Sequence, residues 1–583
     1  MVFKGIPVSE GIAIGKAFVY APFKPKIGER FISAEEVPAH TARFDMTLKK
    51  ARAELAALQE KLAEDPDKAG IFEAHEDILT DIALVDEILE LINDKHYAGE
   101  SAIETVYEKY ENMFAEMDDD LMKERCADFN DVKTRLLRLW IGAAGKNLSE
   151  MEEPSVIFAH DLFPSDTATL DRNKALAIVT ETGGNTSHSA IIARSYGIPA
   201  ILGVSGVMGA AADGIIAVAD AVEGTVVLRP DAGEFTRYRE KQDAYDRDRK
   251  ETLKYLGVRP VTLDGLRIEV CLNLGSVSDE DLAAAEFTDG VGLFRSEFLF
   301  MSGKELPSEN QQFQVYKKAV EAYGSRQVIL RTLDIGGDKK FESMELPEED
   351  NPFLGCRALR LCFEKTDVFK TQLRAALRAS AFGNLALMFP MVGSMEDLYR
   401  AKAFLEECRV ELRGEGCAFN EKMPVGIMIE IPAIALMPDL VAAEVDFASI
   451  GTNDLCQYLM AVDRLNPDVA MYYQNYHPAM FWLINHTAEA FTKAGKPLSI
   501  CGEMGGDPAA LIPFIAMGIK KFSMSASCVA PVKRLITRLT MEEAGHVLGR
   551  LRMMNTAPEI EGYLKSSMKR LLKEEAVCIQ SER

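Results

Sequence analysis

Histidine, arginine, carboxylate and thiol side chains occur in this chain at spacings that allow group-transfer chemistry. His188 lies in Gly183-Gly184-Asn185-Thr186-Ser187-His188-Ser189-Ala190-Ile191-Ile192-Ala193-Arg194, at the mouth of a short helix directly behind a glycine pair. Thr186 can serve as its N-cap, Ala190 to Ala193 supply the apolar face, and Gly197 followed by Pro199 stops it. Unpaired N–H groups at a helix start, with close backbone approach at the glycines, suit an anion. A neutral imidazole there can attack phosphorus and hold the resulting phosphoryl group against backbone donors. The plainer alternative is a surface histidine in a capped turn, and the choice between the two rests on the second half of the chain.

That half gathers arginines. Phe294-Arg295-Ser296-Glu297, Leu330-Arg331-Thr332-Leu333-Asp334, Gly355-Cys356-Arg357 and Asp463-Arg464 each offer a guanidinium fork, which binds phosphate or carboxylate bidentately and keeps its charge. An acidic protein that concentrates arginines in this way is expected to bind a small, multiply anionic ligand. Glu430, after Gly426-Ile427-Met428-Ile429, and Asp454, in Gly451-Thr452-Asn453-Asp454, are oxygen donors suited to Mg²⁺ with water and substrate completing the shell. Cys501, in Ser499-Ile500-Cys501-Gly502-Glu503-Met504, is either an inert buried thiol or an acid. A thiol with an ordinary pKa near ~8.5 stays protonated at neutral pH and can protonate an enolate. Phosphate site, metal site and proton donor together suit a phospho-enol substrate.

The elements that must position these groups are legible as eight short apolar runs alternating with longer helical segments. The runs are Arg267-Asn273, Gly290-Arg295, Gln327-Leu333, Leu385-Val392, Val425-Glu430, Phe447-Gly451, Leu498-Cys501 and Lys521-Met524. Eight β-then-α units predict a (β/α)₈ barrel, whose reactive groups stand at the C-terminal ends of the strands. Those ends carry Asn273, Arg295, Arg331, Glu430, Asn453, Asp454 and Cys501. Upstream, residues 1–30 and 147–230 share β-branched runs and many glycines, which predicts a small α/β domain. Residues 31–146 are rich in Ala, Leu and Glu at helical spacing and read as a helical insertion. Residues 231–260 read as a charged helical linker, and 261–583 as the barrel region.

Composition bounds the function. The chain has 583 residues, a formal net charge of -24 and 27% charged residues, so three or four domains are expected and nucleic acid or an anionic membrane is disfavoured as partner. No apolar leader or roughly 18-residue apolar run is seen, so neither a signal peptide nor a membrane span is expected. Ten cysteines without a CxxC pair read as reduced thiols in a cytoplasmic protein. The segment 31–146 holds 27 acidic and 14 basic residues, a net of -13. Within it, Ile71 to Ile92 reads as one amphipathic helix, with Ile78, Ile82, Val85 and Leu89 on its apolar stripe and Glu73, Asp77 and Asp81 in a row opposite. Like charges at that spacing cost a helix about 0.2–0.5 kcal/mol per pair. The row is therefore expected to dock a basic partner surface rather than to stabilise the helix, with a merely solvated face as the alternative.

The motifs GGNTSHSAIIARSYGIPAILG around His188, DGVGLFRSEFLFM around Arg295, RTLDIGGDK from Arg331, NPFLGCRALR from Asn351, GIMIEIPAIALM around Glu430, SIGTNDLCQYLMAVDR from Ser449 and SICGEMGGDP around Cys501 occur in this order. Together they resemble the Enzyme I family of the bacterial sugar phosphotransferase system, the phosphoenolpyruvate–protein phosphotransferases. The resemblance runs almost end to end. It implies that His188 takes a phosphoryl group from phosphoenolpyruvate through Nε2, with Mg²⁺ at Glu430 and Asp454. It implies substrate held by Arg295, Arg331, Arg357, Asn453 and Arg464, and Cys501 as proton donor to the pyruvate enolate. The phosphoryl group would pass to a histidine-containing phosphocarrier protein docked on residues 31–146, as the first step of sugar uptake. The α/β domain would be a swivelling phosphohistidine domain, and the barrel would also form a homodimer. Two positions depart from the family's habit, Asn185 and Leu465, and neither removes a functional group. Pyruvate phosphate dikinase and phosphoenolpyruvate synthase share the histidine motif and the barrel but need a large ATP-binding domain, which is not seen here. A phosphoenolpyruvate sensor without turnover is a further alternative, disfavoured because His188 and Cys501 are both present.

Overall fold

A computed structural model of the chain describes residues 1–20, 27–61, 66–115, 120–142, 148, 151–162, 166, 170–184, 188–301, 305–336, 349–466 and 468–573. It divides into two compact units, Met1–Asp248 and Arg249–Arg583. Among the described residues no helix is long and apolar enough to cross a membrane.

The first unit is built on an eight-stranded mixed sheet. Its strands are β1 (Val2–Lys4), β2 (Ile6–Ser9), β3 (Ile12–Tyr20), β4 (Ser155–Ala159), β5 (Ala175–Thr180), β6 (Ala200–Leu202), β7 (Ile216–Asp220) and β8 (Thr225–Leu228), in the order β1-β8-β7-β3-β4-β5-β6-β2. The pairs β3–β4, β4–β5 and β5–β6 are parallel; the other four are antiparallel. Because side chains alternate along a strand, Ile157 and Ala159 face one core and Val156 and Phe158 another. Gly5 alone separates β1 from β2, yet these two strands border opposite edges of the sheet. A Cβ at Gly5 would stand 2.5 Å from Val204 Cγ2 and 2.7 Å from Leu202 O, so only glycine fits where the edges approach.

Between β3 and β4 the described residues form five α-helices: α1 (Val37–Lys61), α2 (Pro66–Thr80), α3 (Ile82–Asn93), α4 (Gly99–Ala115) and α5 (Asp120–Ile141). They close on a core of their own that includes Phe44, Leu55, Phe72, Ile88, Tyr107 and Trp140. The single helix expected over Ile71–Ile92 is two. Asp81 is the N-cap of α3, its carboxylate accepting from Ala83 N at 2.8 Å and Leu84 N at 3.2 Å. A fresh helix start resets the phase of the apolar stripe. The buried residues of α3 are Leu84, Ile88, Leu91 and Ile92, while Ile82 is 77% exposed. Asp81 therefore does have a local structural role, contrary to the expectation for the acidic row. Asp77 is exposed on α2, and the side chain of Glu73 lies outside the described residues.

A helix over Ala232–Leu253 follows β8. Within the first unit, its Lys241 pairs with buried Asp220 at 2.5 Å and its Gln242 donates to Ile12 O at 2.9 Å.

The second unit is the expected barrel. Its strands are β9 (Glu269–Leu274), β10 (Val291–Arg295), β11 (Val328–Arg331), β12 (Leu385–Phe389), β13 (Val425–Ile429), β14 (Phe447–Ile450), β15 (Leu498–Ile500) and β16 (Lys521–Met524). All eight neighbouring pairs are parallel, and β16 pairs with β9 to close the ring. Outward side chains such as Ile427 and Ile429 join the large core under the helices. Inward ones form a small apolar plug of Leu293, Ile329, Ala386, Met388, Met428, Phe447 and Cys501.

Candidate active site

Strand periodicity builds the barrel site. Leu293, Ile329 and Met428 point into the plug, so the residues two positions on, Arg295, Arg331 and Glu430, face the same interior one layer higher, at the strand exits. An apolar floor thus carries a charged layer.

The charges are interlocked. Arg331 is buried and pairs with Glu297 Oε1 and, at 3.0 Å, with Asp334 Oδ2. Arg357 is buried as well; its Nη2 lies 2.9 Å from Asp334 Oδ1 and its Nη1 3.5 Å from Asp454 Oδ1. Asp334 therefore joins two arginines into one rigid pair. For both, burial works against the charge, and the surrounding carboxylates outweigh it, raising each guanidinium above its ordinary pKa. Arg295 is different. Among the described residues it has no ion-pair partner, and burial with the nearby Arg331 charge lowers its pKa. An anion bound between Arg295 and Arg331 would stabilise the Arg295 charge against both.

Glu430 is 1% exposed. Its Oε1 accepts from Met391 N at 2.6 Å, and its Oε2 has no hydrogen-bond partner among the described residues. Met391 itself holds a left-handed backbone with φ of 53°. A Cβ on Gly451 would stand 2.7 Å from Glu430 Oε2, so glycine there keeps the space beside this oxygen open. Burial, then Asp454 and Asp334, push the Glu430 carboxyl up to about 8, while Arg331 pulls it down. Asp454, on the first turn of the helix Thr452–Met460, faces Arg357 and, at 3.8 Å, Arg464. An orphaned buried carboxylate oxygen, with a second carboxylate whose ion pairs among the described residues are long, fits a hard divalent cation. Among the described residues no group of three His, Cys, Asp or Glu could hold a metal alone. The remaining ligands would be water and substrate, as Mg²⁺ prefers.

Asn453 turns its Oδ1 to Glu503 N at 2.9 Å, which ties the β14 exit to the segment after Cys501. Cys501 is buried, its Sγ 3.7 Å from Ile450 O, and burial pushes its thiol up to about 11. Glu430 pushes the same way; Ser449, Arg331 and Arg295 oppose. A thiol so shifted is held in its protonated form.

In the first unit, His188 opens the helix His188–Tyr196 after β5. Ala190 and Ala193 are fully buried against the sheet, as their spacing implies. Ser189 Oγ reaches Asp161 Oδ1 and Leu162 O at 3.3 Å each, fixing this helix start to the loop after β4. The His188 side chain and residues 185–187, including the expected cap Thr186, lie outside the described residues. So do Gly337, Asp338 and Lys339.

Family models described as PEP-utilising enzyme match three stretches: the N-terminal model residues 4–125, the mobile-domain model 151–224 and the PEP-binding-domain model 249–541. The phosphoenolpyruvate-protein phosphotransferase of Bacillus sp. (strain S) is 42% identical over 565 residues, 96% of this chain and 97% of its own. The chain belongs to this family. The corresponding protein of Bacillus subtilis (strain 168) is 40% identical over 568 residues, covering 97% of this chain and 99% of its own. A solution structure of an Enzyme I (nEIt) protein aligns with 42% of this chain and 99% of its own at 35% identity, with a TM-score of 0.39.

Phosphotransferase chemistry makes sense of several residues that sequence reasoning did not single out. Glu297 and Asp334 stood in the quoted motifs without a role, although an acid within three residues of each exit arginine was a usable signal. Met391 gave no signal, because only its backbone acts.

Proposed function

We infer that this enzyme transfers the phosphoryl group of phosphoenolpyruvate to its own His188 and then to a histidine-containing phosphocarrier protein, releasing pyruvate. The observation that carries the barrel's part is the Arg295 guanidinium, without an ion-pair partner among the described residues, at the same barrel end as Arg331, the protonated Cys501 thiol and the buried Glu430, whose Oε2 also lacks a partner among those residues. Arg295, Arg331, Arg357, Asn453 and Arg464 bind and orient the substrate. Glu430 and Asp454 hold a divalent cation, Mg²⁺ by the hardness of its oxygen donors, which when bound supplies charge neutralisation at the phosphate. The imidazole lone pair of His188 Nε2 attacks phosphorus, and the bond from phosphorus to the enolate oxygen breaks. The enolate carbon takes the Sγ proton of Cys501, giving pyruvate and a thiolate that recovers a proton from water. Burial below the charged layer keeps that thiol protonated until the enolate forms. The helical insertion, with its net of -13, serves as docking surface for a basic phosphocarrier, and the barrel as the surface of a homodimer. Residues 231–260 act as linker between the phosphohistidine domain and the barrel.

Incubation with phosphoenolpyruvate labelled in its phosphate, with Mg²⁺, should give an acid-labile, base-stable phosphoprotein that is lost in His188→Ala. Persistent stoichiometric labelling of that variant would refute the assignment.

A further inference from the structure

Tyr458 has no role in the scheme above. It lies four residues after Asp454 on the helix Thr452–Met460, so both side chains leave one face a turn apart. Its hydroxyl donates to Phe353 O at 2.6 Å and accepts from Arg357 Nη1 at 3.2 Å. The same Nη1 lies 3.5 Å from Asp454 Oδ1. Burial pushes the phenol up to about 12 against the pull of Arg357, so it keeps the proton it donates. Phe353 sits in the short turn Pro352–Leu354, with its ring 5.6 Å from the Arg357 guanidinium. The loop bearing Arg357 is further pinned by Glu349, whose carboxylate accepts from Cys356 N at 2.9 and 3.0 Å. One hydroxyl thus joins the arginine's loop to the helix that carries Asp454.

We propose that Tyr458 is a positioning residue that holds Arg357 off Asp454, leaving the arginine for the substrate anion and the carboxylate for the cation. Nη1 chooses between a neutral phenol oxygen and a carboxylate, and bonds to an ionised acceptor are roughly twice as strong. With Nη2 held by Asp334 and the loop pinned by Glu349, the phenol is the group that competes with Asp454 for Nη1 and keeps the longer separation. Without the hydroxyl, Nη1 closes on Asp454 and competes with the cation. This rests on Glu430 and Asp454 being cation ligands.

The test uses the full chain and Mn²⁺ as probe, with free Mn²⁺ read by electron paramagnetic resonance in the absence of phosphoenolpyruvate. Tyr458→Phe, which keeps the ring and is checked for fold by circular dichroism, should raise the Mn²⁺ Kd about three- to tenfold. It should also raise KM for phosphoenolpyruvate while kcat stays within about twofold. In an Arg357→Gln background the same change should leave the Mn²⁺ Kd where it was, because the residue acts through that arginine. A Glu430-dependent Mn²⁺ site that is insensitive to Tyr458→Phe, or an equal loss in both backgrounds, overturns the proposal. Intact Mn²⁺ affinity in Glu430→Gln instead overturns the cation reading itself.

Discussion

The two units place their chemistry in opposite ways. In the barrel, eight strands converge so that guanidinium and carboxylate groups far apart in sequence share one layer over an apolar floor that includes the Cys501 thiol. In the first unit the histidine motif stands at one helix start beside a mixed sheet, tied to the loop after β4 by Ser189 Oγ on Asp161. A reaction centre that must bind a multiply charged substrate needs many groups fixed against one another. A carrier that must meet two different partners needs one nucleophile on a small, accessible edge.

The comparison is broken most directly at His188. His188→Ala should abolish phosphoprotein formation while substrate binding to the barrel, measured by calorimetry, stays as in the parent. Loss of both would mean that the two units do not divide the work.

Next in size is Cys501→Ser, since a hydroxyl is a far weaker acid than a thiol. Pyruvate formation should fall by about 10²–10⁴-fold with little change in substrate affinity. The pH dependence follows from the raised thiol. Its folded pKa of about 11 exceeds the ordinary value, so the protonated donor persists through neutral pH and is lost only as pH rises toward 11. Alkylation of Cys501 should therefore be slow at pH 8 and quicken toward pH 11.

The arginines sharpen the comparison within the barrel. Arg295→Met removes a guanidinium with no ion-pair partner among the described residues, so kcat/KM should drop by about 10–100-fold with thermal stability kept or raised. Arg331→Met leaves Glu297 and Asp334 facing an apolar side chain, and stability should fall by about 3–5 kcal/mol as well. Equal melting shifts in the two variants would contradict the ion-pair assignment.

The smallest effect belongs to the helical insertion. Asp81→Ala should cost about 1 kcal/mol by removing the α3 cap, whereas Asp77→Ala should be close to neutral. Urea unfolding of the two variants decides it.

The barrel strands were readable because parallel, fully covered strands appear as unbroken apolar runs, and a polar residue at the end of such a run has to be explained. Arg295, Arg331 and Glu430 became candidates because they stand at such exits, and the structure sets all three at or directly after the ends of their strands. What the chain did not disclose were bonds between remote segments, such as Tyr458 to Phe353 across 105 positions or the Met391 amide on Glu430. Hydrophobic period carries no record of them. The break at Asp81 was visible in principle, since aspartate before Ile82-Ala83-Leu84 is a cap signal; continuous apolar spacing from Ile71 to Ile92 masked it.

The crossing at Gly5 makes the amino-terminal residues a clasp. β1 covers the open side of β8, β2 covers the open side of β6, and the Met1 amine bonds Leu228 O at 2.9 Å. Trimming nine residues from this end would expose two ladders of unpaired backbone groups at once, on strands that already form a well-ordered template. The damage to expect from such a deletion is strand exchange between copies and precipitation, ahead of any loss at His188.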